Sequence, residues 1–114
     1  MITLDSLTAF GADVKTGLSR CMNMESFYLK LVNMELGDPN FDRLKQALER
    51  SDAKAAFEAA HAFKGSLGNL SLTPVYEPVS ALTELVRGAA QIPAGAAELA
   101  QSAFDQFEKL KALA

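Results

Sequence analysis

The sequence predicts an all-α fold, an antiparallel up-down four-helix bundle with a short additional N-terminal helix, and three observations lead there. Apolar residues recur at spacings of three and four along most of the chain, which is the pattern of helices with one buried stripe. Starts and stops punctuate those stripes: Thr3, Asp13, Asn23 and Asp38 suit helix N-caps, and Gly11 and Gly37 suit helix ends. No segment alternates apolar and polar residues as a half-buried strand would. A chain of 114 residues can build one core but not two, so residues 1–114 are expected to form a single domain.

Residues 2–22 read as two short helices. Thr3 caps the first, Leu4, Leu7 and Phe10 line one side, and Gly11 ends it. Asp13 caps the second, with Val14, Leu18 and Cys21 on a common side. A short apolar helix at this place is expected to cover an open end of the core. Residues 23–36 form the first long helix, capped by Asn23, with Glu25 in the first turn where the helix dipole favours it. Its predicted buried stripe is Met24, Phe27, Leu31 and Met34, broadened by Tyr28 and Val32, with methionine as adaptable core filler. Asp38 or Asn40 caps a short helix with Pro39 in its first turn and Phe41, Leu44 and Leu48 inward. Ser51 or Asp52 opens the next helix, which reaches Asn69 or Leu70. Alanines crowd its first half, favouring helix and close packing of neighbours. Thr73 with Pro74 is the following cap and first turn. Pro78 would loosen that turn or delay the helix to Glu77. Val75, Val79, Leu82 and Val86 then face inward. Residues 88–95 form a loop, and a last helix from Gly95 to Leu113 buries Leu99, Ala103, Phe107 and Leu110.

Composition excludes several classes. Hydrophobic residues make up 49% of the chain, too many for a disordered segment. A net charge of −3 offers no electrostatic attraction to nucleic acid or anionic lipid. The lone Cys21 cannot form an internal disulfide or a multi-cysteine zinc site and is expected to be a small buried residue. No apolar run approaches the roughly 18 residues of a membrane span. Acids at Asp5 and Asp13, and no basic segment leading into an apolar one, argue against a signal peptide, so a cytoplasmic location is the expectation. With no sustained heptad seam and no surplus apolar face expected, the chain should be a monomer.

The chemistry concentrates between Ala60 and Leu70. Ala56, Ala60, Phe63, Leu67 and Leu70 form one stripe, spaced four, three, four and three apart. At about 100° per residue, His61, Lys64 and Gly68 fall along one flank of it, with Gly65 further towards solvent. His61 is the only histidine in the chain. Each glycine inside a helix costs roughly 0.8–1 kcal/mol relative to alanine. Two of them beside a histidine, where the stripe continues, imply close approach of something large to His61; the competing reading is that Gly65 begins a helix end.

His61-Ala62-Phe63-Lys64-Gly65-Ser66, followed by Gly68 and Asn69-Leu70, resembles the signature of the histidine-containing phosphotransfer (Hpt) domain: a histidine, two residues, lysine, glycine and a small residue. Segments at 17–21, 27–31 and 44–48 fall where that family has helices before the active one. The resemblance implies an antiparallel four-helix bundle whose histidine carries a phosphoryl group between aspartates of response-regulator receiver domains, or from a histidine kinase pathway to such an aspartate. Many members continue Asn-Leu-Gly, whereas Ser71 stands at that glycine position here.

The residues fit that chemistry on their own terms. A phosphoryl carrier needs a neutral imidazole nitrogen as nucleophile, and free histidine titrates near 6.5. A lysine nearby opposes imidazolium formation and can later offset phosphoryl charge. Lys64 takes that role, Gly65 and Gly68 give a partner access, and Ser66 is a further hydrogen-bonding group near the site. No acidic cluster surrounds His61, so no intrinsic cofactor is expected and Mg²⁺ should reside on the partner receiver domain. No glycine-rich nucleotide loop is present, so the chain should be a carrier without an ATP-binding or autokinase domain, not an enzyme. Glu58, three residues before His61, could pair with it in an acid–base site. A plain interaction bundle is the other reading, but it leaves Lys64, Gly65 and Gly68 around the histidine without a reason.

Overall fold

A computed structural model describes residues 1–114 as seven helices and no strands. They are α1 (Leu4–Phe10), α2 (Val14–Arg20), α3 (Glu25–Glu35), α4 (Pro39–Glu49), α5 (Ala53–Asn69), α6 (Thr73–Val86) and α7 (Ala96–Lys111). The all-helical class is the one expected. Two short helices precede α3, as residues 2–22 read, where the fold class foresees one short additional N-terminal helix. Helices α4, α5, α6 and α7 each pack on the next, and aromatic rings close the circle. Phe41 of α4 meets Phe107 of α7 edge-on at 4.5 Å and stacks on Phe63 of α5 at 6.2 Å, while Phe63 and Phe107 meet at 5.2 Å. The buried apolar residues form one contiguous core. No helix is long and apolar enough to cross a membrane.

The N-terminal part covers one end of the bundle. Ile2 and Leu7 join the core. Thr3 caps α1 through the Ser6 N–H, Gly11 ends it with φ +110°, and Asp13 caps α2 through the Thr16 N–H. At the next turn the chain departs from expectation. Met22 and Asn23 both adopt left-handed backbone, φ +56° and +57°. Asn23 is therefore a turn residue rather than a cap, since asparagine tolerates that conformation better than most. Met24 takes the N-cap position without a side-chain bond.

Helix α3 is also rotated by about one residue from its predicted orientation. Its buried residues are Tyr28, Val32 and Glu35. Met24, Phe27 and Met34 of the predicted stripe are exposed, along with Met22 of the preceding turn. The rotation follows from Gly17: a Cβ there would lie 2.6 Å from the Tyr28 ring. The missing side chain opens a slot in α2 that admits the fully buried ring, and the Tyr28 hydroxyl donates to the Leu70 carbonyl at 2.8 Å. A surplus apolar face is thus present after all.

Two smaller corrections concern α6 and α4. Thr73 is the first residue of α6, not its cap; the N-cap is Leu72, and the helix runs unbroken through Pro78. The Thr73 hydroxyl instead donates to the Ser71 carbonyl at 3.3 Å. In α4 the third buried residue is Ala47, with Leu48 only half-buried.

Candidate functional site

Helix α5 is the scaffold of the site. Asp52 caps its start by accepting from the Ala55 N–H at 3.0 Å. Its far end is held by α2 and α3: the Arg20 guanidinium donates to the Gly68 carbonyl, and Tyr28 to the Leu70 carbonyl. A cation at a helix C-terminus complements the dipole, and the Gly68 carbonyl also accepts from the Ser71 N–H at 3.1 Å. Ala56, Ala60, Phe63, Leu67 and Leu70 are all buried, so the predicted stripe is the observed one. Anchored along one side and at both ends, α5 presents its other side to solvent.

His61 is exposed at the middle of α5. Its imidazole stacks on Phe57, one turn earlier, with ring centroids 5.6 Å apart and planes 16° from parallel. No carboxylate pairs with it: the protein's ion pairs are Lys64–Glu84, Arg87–Glu84 and Lys111–Glu108. Glu58 instead lines a recess with Arg43 and Arg50.

Lys64 reaches across to α6, where its Nζ lies 3.7 Å from Glu84. Glu84 accepts two hydrogen bonds from Arg87, at 3.0 and 2.9 Å. Those bonds, with the charges of Arg87 and Lys64, hold the Glu84 carboxyl below its ordinary range. The Arg87 guanidinium in turn lies 4.9 Å over the Phe57 ring. Four side chains therefore form a band beside His61: Phe57, Arg87, Glu84 and Lys64.

The two glycines differ. A Cβ on Gly65 would meet nothing within 4 Å, so the space over it is open. A Cβ on Gly68 would lie 3.0 Å from the Tyr76 ring of α6, so Gly68 has a packing reason inside the protein. Both border a polar recess of about 480 Å³ that also includes Arg20, Lys64 and Tyr76. Ser66 is on the opposite flank. Its hydroxyl donates to the Ala62 carbonyl at 3.4 Å, and it borders a recess with Leu31, Met34 and Asn69 at the foot of α3. The exposed apolar edge of α3 thereby adjoins α5. No group of three or more His, Cys, Asp or Glu side chains comes together as a metal site.

Sequence reasoning missed Phe57, Glu84 and Arg87. Phe57 had a signal, since it precedes His61 by one helical turn and so shares its face. Glu84 and Arg87 reach the band only through the packing of α6 on α5, which no local pattern reports.

Residues 19–113 match the family model of the Hpt domain, the phosphocarrier module of two-component phosphorelays. No curated protein and no solved structure gives a match. Since the match leaves outside it only the first eighteen residues and the last one, this chain belongs to the Hpt domain family.

Proposed function

We propose that this chain is a phosphorelay intermediate that carries a phosphoryl group on His61, to or from the aspartate of a response-regulator receiver domain. One observation carries the reading: the only histidine of an Hpt family chain is exposed at the middle of α5, with open space over Gly65 one turn on. The unprotonated imidazole nitrogen attacks the phosphorus of an aspartyl phosphate. The P–N bond forms as the bond to the carboxylate oxygen breaks, and the carboxylate leaves with the electron pair. Such transfer depends mainly on positioning and electrostatics.

Lys64 supplies positive charge. Its pair with Glu84 is long and partly solvated, and such pairs contribute little. Lys64 is then free to turn towards a phosphoryl group once one is present. Gly65 leaves the approach to His61 clear for a partner, Gly68 lets Tyr76 pack close beside it, and Ser66 marks the edge nearer α3. The exposed Phe27 and Met34 extend the surface with apolar area that a partner protein can cover. In this reading the partner brings both the aspartate and the Mg²⁺, and the phosphoryl group comes from a receiver or a histidine kinase rather than from ATP. The carrier acts as a cytoplasmic monomer, without nucleic acid or membrane.

The test is phosphorylation by a pre-phosphorylated receiver domain with Mg²⁺, comparing wild type and His61→Gln by intact mass. An acid-labile phosphoryl group on wild type alone is expected. Equal labelling of both proteins, or none on wild type with several active receivers, overturns the assignment.

A further inference from the structure

We propose that Phe57 is a positioning residue for the phosphoacceptor: its ring holds the His61 imidazole in one orientation, and Arg87, anchored by Glu84, holds Phe57. The inference rests on the phosphotransfer reading of His61 and adds a residue to it.

An exposed imidazole on a helix has little to fix its plane. His61 has no pairing carboxylate, yet attack on phosphorus requires a nitrogen lone pair directed outwards. The structure provides one ordering contact, the near-parallel stack on Phe57 at 5.6 Å and 16°. That separation is within the roughly 4.5–7 Å of favourable aromatic pairs. Phe57 is itself half-buried, packed against the core on one side. The Arg87 guanidinium lies over its ring at 4.9 Å, within the roughly 6 Å of a cation–π contact. The paired hydrogen bonds to Glu84 fix the plane of that guanidinium, which a single-point contact would not. Glu84 also faces Lys64. One carboxylate on α6 thus lies within reach of the cation beside the phosphoryl site and, through Arg87 and Phe57, sets the plane of the nucleophile.

Three variants test this: Phe57→Leu keeps apolar bulk but removes the ring, Phe57→Tyr keeps the ring, and Arg87→Leu removes its cation. Two readouts are used, the rate of transfer from a phosphorylated receiver and the NMR shifts of the His61 ring protons, which a stacked ring moves upfield. Phe57→Leu should slow transfer about five- to tenfold and move the His61 protons downfield, by loss of the stack. Phe57→Tyr should restore both, and Arg87→Leu should give a smaller change of the same sign in both. A merely structural role for Phe57 would leave the His61 shifts and the transfer rate of folded Phe57→Leu at wild-type values, and either result overturns the proposal. If wild type itself accepts no phosphoryl group, the phosphotransfer reading is what fails, and the role built on it falls with it.

Discussion

Gly65→Ala separates the two reasons a glycine can have in this helix. Position 65 is an exposed helix interior, and an added Cβ meets nothing within 4 Å. The substitution should therefore recover the helix preference of alanine, about 0.8–1 kcal/mol. For a chain of 114 residues that is a rise in Tm of roughly 4 °C. The same methyl group stands one turn from His61 on the approach to it. If a receiver packs closely there, overfilling a tight contact by one methyl costs about 1–3 kcal/mol, which slows kcat/KM with a protein donor by roughly five- to 150-fold. Gly68→Ala is the internal control. Its Cβ would press on the Tyr76 ring at 3.0 Å, so the helix gain is offset and little stabilisation is expected. The assays are thermal and urea unfolding, with transfer from a phosphorylated receiver beside reaction with a small phosphoramidate donor that needs no docking. The expected result is a more stable protein slowed only with the receiver. Transfer at the wild-type rate would refute the access argument, and failure to gain stability would refute the claim of open space.

Two further outcomes follow from the packing of α3 at its two ends. Gly17→Ala should destabilise by about 1–2 kcal/mol, because its Cβ would lie 2.6 Å from the buried Tyr28 ring, and the overpacking outweighs the helix gain; unfolding in urea at wild-type concentrations would contradict it. Glu35→Gln tests a buried acid whose Oε2 has no hydrogen-bond partner. Burial, with Asp38 alongside, pushes the Glu35 carboxyl from 4.5 to about 9. The folded state therefore keeps a proton that the unfolded chain releases above 4.5, so this residue's contribution to stability falls as pH rises towards 9. Wild type and Glu35→Gln should be about equally stable near pH 5, with the variant ahead by roughly 3–4 kcal/mol at pH 8. A gap that does not widen with pH counts against the buried, protonated acid.

The site was legible in the sequence because its parts lie on one helix. The alternation of four and three from Ala56 to Leu70 decides which face α5 buries, and so places His61, Lys64 and Gly65 before any other helix is known. Helix α3 was misread although its boundaries were nearly right, and the cause is physical. Met24, Phe27, Leu31 and Met34 make a regular apolar stripe. The set that is buried, Tyr28, Val32 and Glu35, contains an acid. Period and polarity both favour the wrong face. What decides it is the ring-sized slot that Gly17 leaves in another helix, eleven residues before Tyr28, and the hydroxyl contact to Leu70, forty-two residues after it, neither of which any local pattern reports. Ser71 shows the opposite situation. Its backbone is left-handed, φ +55°, which is the conformation that a glycine adopts without cost. The departure from the family's Asn-Leu-Gly therefore changes the residue but not the turn. Ser71 holds that turn because its carbonyl accepts from the Asp13 N–H at 2.9 Å. The end of α5 is thus fixed by contacts from α2 and α3 at Gly68, Leu70 and Ser71, and the exposed methionine face is the consequence of turning α3 to make one of them. Rotating α3 to hide its methionines would withdraw Tyr28 from Leu70, so the apolar edge beside the site and the rigidity of the helix that carries His61 come from the same contact.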